Sequence, residues 1–259
     1  MWHKMHTAHL MPHQWRAGLG GVVVSNFVMV PGAGGAAWYW HRVVRELRDR
    51  GHVAVAVDLP GADPAAGLPE YADAVVAAIG EFDDGGDADD PVVVAQSMGA
   101  FPAAMACARV PVARLVTVNA MLPLPGETPG QWFTNTGSEA ARVAAAEAGG
   151  YPAEFDLHTY FLHDVPADVV AEGAAHERPE ADIAFGQPCD NERWPDVPTQ
   201  VLAAVGDRFF PLSFQRRVAR ERLGCDVVEI PGGHLAALSY PAELTVVLVT
   251  NRTNGTFGQ

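Results

Sequence analysis

Six short apolar runs punctuate this chain: VVVSNFVMV (22–30), VAVAV (53–57), PVVVAQ (91–96), VARLVTVN (112–119), TQVLAAVG (199–206) and CDVVEI (225–230). Strict apolar/polar alternation would mark strands with one face in water. These runs are almost unbroken, as strands buried on both faces require. Helix-like stretches separate most of them. Trp40, Val43, Val44 and Leu47 fall at i, i+3, i+4 and i+7, with Arg45, Glu46, Arg48 and Asp49 opposite and Gly51 as a stop. Tyr71, Ala74, Val75, Ala78, Ile79 and Phe82 mark a second helix, and a small-residue helix runs through Ala108. An Arg-rich helix spans 212–223, and a last one spans about 234–250, where Pro241 suits a helix start better than an interior. Strands alternating with helices predict an α/β fold: a doubly wound, mostly parallel sheet.

Residues 121–195 break the alternation. They carry Pro- and Gly-rich turns and short helical pieces (138–148, 166–175) with no clear strand, over a length no plain connection needs. The stretch reads as a small inserted helical cap over the strand ends. Its aromatic residues, among them Trp132, Phe133, Tyr160 and Phe161, are candidates for substrate contact. The same side chains would equally serve as the core of an added helical layer. The expected organisation is therefore a disordered leader (1–20), a core (21–120 and 196–250), the cap (121–195) and a tail (251–259).

In a doubly wound sheet, functional residues gather on loops at the carboxyl ends of strands. After the third run comes Ala95-Gln96-Ser97-Met98-Gly99, a G-x-S-x-G pattern with Ala for the first Gly. A serine on a sharp strand-to-helix turn needs small residues two positions either side, or side chains collide with neighbouring backbone. Serine also needs a base. The fifth run is followed by Gly206-Asp207-Arg208 and the sixth by Gly232-Gly233-His234, giving the order Ser97, Asp207, His234. His234 is the only histidine after residue 176, and the fourth run ends on Asn119 without a carboxylate. The PGAGG turn (31–35) would bring a backbone N–H, Ala33 for preference, beside that of Met98 to form an oxyanion hole.

That turn admits a second reading. Gly32, Gly34 and Ala37 satisfy G-x-G-x-x-A, and Asp58 lies 21 residues beyond Ala37, where a ribose-binding acid of a dinucleotide fold would stand. This alternative leaves Ser97, Asp207 and His234 unexplained.

Composition narrows the partners. With 17 Lys+Arg against 31 Asp+Glu the net charge is −14, and no basic cluster occurs that could neutralise phosphates or an anionic membrane surface. Neither nucleic acid nor a membrane is expected as partner. Three cysteines, Cys107, Cys189 and Cys225, are too few and too scattered for a disulfide framework or a CxxC motif, consistent with a cytoplasmic protein. Of the four leader histidines His3, His6, His9 and His13, the first three would lie near one helix face and could hold a metal, but in a disordered leader they read as incidental. The acidic run DDGGDADD (83–90) lacks the ligand alternation of an EF-hand and reads as a solvated connection. The N-x-T sequons at Asn251 and Asn254 matter only in a secreted chain.

Over residues 24–250 the chain resembles the α/β-hydrolase superfamily, and in particular bacterial relatives of the plant methylesterase and hydroxynitrile lyase branch. The resemblance rests on PGAGGAAWYWHRVVRELRDRGH followed by VDLPG, on NAMLPLPGETPG, and on GDRFFP and PGGHLAALSYP. It implies a triad of Ser97, Asp207 and His234 with Ala33 and Met98 donating the oxyanion hole. The branch usually opens its first turn with His-Gly; Pro31-Gly32 keeps the backbone. The lyases carry Lys directly after the histidine, whereas Leu235 stands here. The function expected is hydrolysis of a small to medium, mostly apolar carboxylic ester through an acyl-enzyme, with no metal or cofactor. A lyase or acyltransferase using the same triad, or an inactive ligand-binding scaffold, remains the alternative.

Overall fold

The computed structural model describes residues 24–82 and 90–250. The expected leader with its four histidines, the acidic run before Asp90, and the tail with both sequons lie outside the described residues. Six strands, β1 (Asn26–Val30), β2 (Val53–Ala56), β3 (Val92–Gln96), β4 (Arg114–Val118), β5 (Thr199–Ala204) and β6 (Val228–Ile230), form one sheet in the order β2-β1-β3-β4-β5-β6. Every neighbouring pair is parallel. The doubly wound parallel sheet expected from the apolar runs is present.

Alternate residues of the central strands β1, β3, β4 and β5 feed two separate cores, which is why their runs carry no solvent face, whereas Glu229 of edge strand β6 is exposed and pairs with Arg216. Val28, Val30, Val93, Ala95 and Leu115 point into one cluster, Phe27, Met29, Val94, Val116 and Val118 into the other. Helices α2 (Leu68–Gly80), α3 (Ala100–Cys107) and α8 (Leu212–Leu223) cover the first face through Tyr71, Val75, Phe101, Phe214 and Val218. Helices α1 (His41–Asp49) and α10 (Pro241–Thr250) cover the second through Val43, Leu47, Leu244 and Leu248.

Helix ends follow their local chemistry. Helix α8 stops where Gly224 adopts φ +65°, a left-handed conformation that favours glycine. Pro102 falls third in α3, within the first turn, where its missing N–H costs no helical bond. The expected last helix is two: α9 (Ala236–Ser239) and α10, which begins at Pro241. Between β4 and β5 lie α4 (Pro129–Thr136), α5 (Ser138–Gly149), a π-helical turn (His158–Leu162), α6 (Ala167–Gly173) and α7 (Asp182–Gly186), with no strand. Thr128 caps α4, accepting from the Gln131 N–H at 3.0 Å while the Gln131 side chain accepts from the Thr128 N–H.

The chain runs from β1 outward to β2, then returns across β1 to β3. The sheet therefore reverses direction at β1/β3. Loops leaving those two strands diverge there and open a crevice at their carboxyl ends.

Candidate active site

Ser97 stands at that crevice, directly after β3, with φ +50°. A non-glycine residue held there is strained, and it stays only where neighbours over-determine it. The neighbours do so. A Cβ on Gly99 would lie 2.2 Å from the Pro31 carbonyl oxygen, so only glycine lets the start of α3 pass the loop after β1. On the other side Ala95 is fully buried, and the Met121 N–H donates to the Ser97 carbonyl at 3.0 Å.

The structure brings Ser97, Asp207 and His234 together. His234 Nε2 lies 3.2 Å from Ser97 Oγ, and His234 Nδ1 lies 2.9 Å from Asp207 Oδ2. Both the imidazole and the carboxylate side chains are fully buried. A carboxylate only accepts, so Nδ1 carries the proton and donates to Asp207. Nε2 is then left as an acceptor for the Ser97 hydroxyl. The second oxygen of Asp207 accepts from the N–H groups of Phe209 and Phe210 at 2.8 and 2.9 Å, which fixes the carboxylate plane. Edges of Phe161, Phe209 and Phe210 surround the imidazole at 4.7 to 5.1 Å between ring centroids and keep water from it.

Several supporting residues escaped the sequence reading. Asn119, at φ +48° after β4, donates from Nδ2 to the carbonyls of Gly233 (3.0 Å) and His234 (3.1 Å) and accepts the Ala204 N–H at 2.8 Å. It ties the loop carrying His234 to the ends of two strands. A polar residue directly after the buried Val118 at the end of β4 was its only signal. Gln215 of α8 reaches Asp207 Oδ2 at 3.3 Å. Asp164, in the insertion, accepts the Gly233 N–H at 2.6 Å, and nothing in its sequence surroundings announced this.

A cavity of about 490 Å³ opens above Ser97. Ala33 and Met98 line it on either side of the serine, and Phe133, Phe161, Leu157, Val165, Val169 and Leu235 give it an apolar wall. Two of the expected substrate contacts need correction. Trp132 is fully buried in the core shared with α8, where its indole N–H donates to the Leu122 carbonyl at 3.0 Å. Tyr160 is also fully buried, its hydroxyl donating to the Pro152 carbonyl at 2.7 Å. Both lie outside the cavity wall, because the largest aromatic surfaces in the insertion are spent on holding it together. Phe133 and Phe161 do border the cavity.

The dinucleotide alternative is corrected as well. Asp58 accepts the Ala37 N–H at 2.8 Å and pairs with Arg178 at 3.1 Å, while the Gly34 N–H donates to Glu180. The acid and the turn amide that a ribose and a pyrophosphate would need are engaged by the protein itself. Among the described residues no cluster of three or more His, Cys, Asp or Glu could hold a metal, and no helix is long and apolar enough to cross a membrane.

Comparison with known proteins agrees with this architecture. The sequence model of the alpha/beta hydrolase family matches residues 27–246, and the chain belongs to that family. Its curated relatives are esterases. It is 37% identical to the probable esterase PIR7A of Oryza sativa subsp. indica over 111 residues, which span 39% of this chain and 41% of that protein. With methylesterase 7 of Arabidopsis thaliana it shares 25% identity over 252 residues, 86% of this chain and 95% of that one. A crystal structure of a pyrethroid hydrolase from Sphingobium faniae JZ-2 superposes with a TM-score of 0.68 at 21% identity, covering 89% of this chain and 98% of that chain.

Proposed function

We propose that the protein is a serine carboxylesterase that works through an acyl-enzyme. The observation that carries this reading is the continuous relay from Asp207 through His234 to Ser97, at 2.9 and 3.2 Å, on the floor of an apolar cavity. Ser97 Oγ attacks the ester carbonyl as His234 Nε2 takes its proton, and Asp207 holds the tautomer and stabilises the imidazolium. Negative charge on the carbonyl oxygen meets the N–H groups of Ala33 and Met98. One such donor is worth roughly 3–4 kcal/mol in the transition state. The imidazolium then protonates the departing alkoxide. Water, activated by the same imidazole, releases the acid and restores the serine.

The cavity wall favours a substrate that is mostly apolar and of small to medium size. Leu235 borders the cavity directly after the base, so that position offers no ammonium to a leaving anion. Three cysteines without a disulfide accord with a cytoplasmic setting. Turnover of a p-nitrophenyl ester series tests the proposal. Wild type is expected to hydrolyse the series, and Ser97→Ala, still folded, to lose at least about a thousandfold in kcat. Equal activity in the two proteins would overturn it.

A further inference from the structure

We propose that Glu180, in the insertion, is a positioning residue that holds the oxyanion-binding turn in its working geometry. The inference rests on the esterase reading above and gives the insertion a part in the chemistry beyond covering the site.

The turn after β1 runs from Gly32 to Gly35. Gly34 and Gly35 adopt φ +85° and +65°, so the chain reverses through two consecutive left-handed residues. The Gly35 N–H donates to the Gly32 carbonyl at 3.1 Å. In a trans peptide the carbonyl and the next N–H point in opposite directions. Turning the Gly32 carbonyl into the turn therefore turns the Ala33 N–H out of it, and Ala33 borders the cavity beside Ser97. The plane on the other side of Ala33 is set from outside the turn: the Gly34 N–H donates to Glu180 Oε2 at 2.5 Å. Ala33 is thus fixed by one bond within the turn and one from Gly34 to a side chain 146 residues beyond that glycine. A Gly-rich turn without that second hold has several conformations available, because glycine populates them at little cost.

Glu180 is itself held in place. Its other oxygen accepts from the Tyr71 hydroxyl of α2. The backbone beside it is anchored by the Ala181 N–H donating to the Gly61 carbonyl at 2.8 Å, and by Arg178 pairing with Asp58. Seven residues beyond Glu180, and without touching it, Gln187 Oε1 accepts the Leu68 N–H at 2.6 Å at the start of α2, a contact that does not bear on the oxyanion turn. Residues 178–187 form a strap across the loops after β1 and β2, and Glu180 is its contact with the oxyanion turn. Burial pushes the Glu180 carboxyl up, against the hydrogen bonds from Tyr71 and Gly34.

Wild type, Glu180→Ala, Glu180→Gln and Gln187→Ala are compared on one p-nitrophenyl ester, with exchange of the turn amides followed by mass spectrometry on peptides spanning 32–36. Glu180→Ala is expected to lower kcat by about 10- to 100-fold with KM within about twofold, the pattern of a lost transition-state contact. Its affinity for an aryl boronic acid should fall by the same factor, and the turn amides should exchange faster. Glu180→Gln keeps an oxygen for the Gly34 N–H and is expected to recover most of kcat. Gln187→Ala loosens the strap elsewhere and should leave kcat at the wild-type value. Unchanged kcat in Glu180→Ala overturns the proposal, as does a loss confined to KM, a glutamine variant as poor as alanine, or an equal loss in Gln187→Ala. If wild type turns over no ester and a fluorophosphonate leaves Ser97 unlabelled, the esterase reading falls first and takes this one with it.

Discussion

A serine at φ +50° costs on the order of 1–3 kcal/mol against relaxed backbone, and the fold holds it there by packing backbone against backbone at Gly99. The strain turns Oγ out of the sheet toward His234. In the proposed mechanism the hydroxyl is activated by the direction of one proton on the imidazole, and Asp207 sets it. Asp207→Asn tests this at the scale of a single atom. The asparagine oxygen can still accept from Phe209 and Phe210, so the loop should keep its shape and the protein its melting temperature. The amide NH₂ would then face Nδ1 and push the imidazole proton to Nε2, where it can no longer receive the serine proton. The expected loss in kcat is about 10⁴-fold. Full activity in that variant would mean that the tautomer plays no part.

At the scale of elements, the insertion is joined to the core by a buried ion pair. Glu127, just before α4, accepts from both terminal nitrogens of Arg222 on α8, and each side chain is less than a tenth exposed. Burial alone would raise the Glu127 carboxyl; hydrogen bonds from Arg222, Asn135 and the Leu124 N–H outweigh it and hold the carboxyl below its ordinary value. A carboxyl depressed in the folded state contributes stability that is complete above its unfolded value and is lost as pH falls through the folded one. Glu127→Gln leaves the guanidinium short of its partner. It should cost about 3 kcal/mol near neutral pH, and the gap from wild type in urea unfolding should close as pH drops below about 4. A gap independent of pH would assign the cost to packing. The same region marks the limit of sequence reading. Helix α5 and, within a few residues, α6 were legible because each has a start, a stop and a helical period. The use of the aromatic residues was not. Trp132 and Tyr160 look like Phe133 and Phe161 in one dimension, and only the packed structure separates those that build the insertion from those that face the cavity. Asp164 and Glu180 were equally invisible, because each acts on a loop far away in the chain.

For the whole molecule, the sheet and the insertion enclose an apolar space above a strained serine, and under the proposed function its volume bounds the substrates. The doubly wound sheet could be read in advance because burial on both faces leaves an unmistakable run of apolar residues. Ser97, Asp207 and His234 could be singled out because a parallel sheet delivers the ends of its strands to one edge. With a cavity of about 490 Å³, kcat/KM should rise by about fourfold per added acyl methylene from acetate upward. It should then fall once the chain outgrows the space, so that palmitate is a poor substrate. Val169→Trp should abolish the gain for hexanoate and spare acetate; a flat profile in wild type would place the acyl chain outside the cavity. The central claim, an alcohol made nucleophilic by a buried imidazole, is tested most directly by covalent labelling. A fluorophosphonate probe followed by peptide mapping should modify wild type at Ser97 alone, and the modification should vanish in His234→Ala. Labelling that persists at full rate without the imidazole, or that falls on another residue, would contradict it.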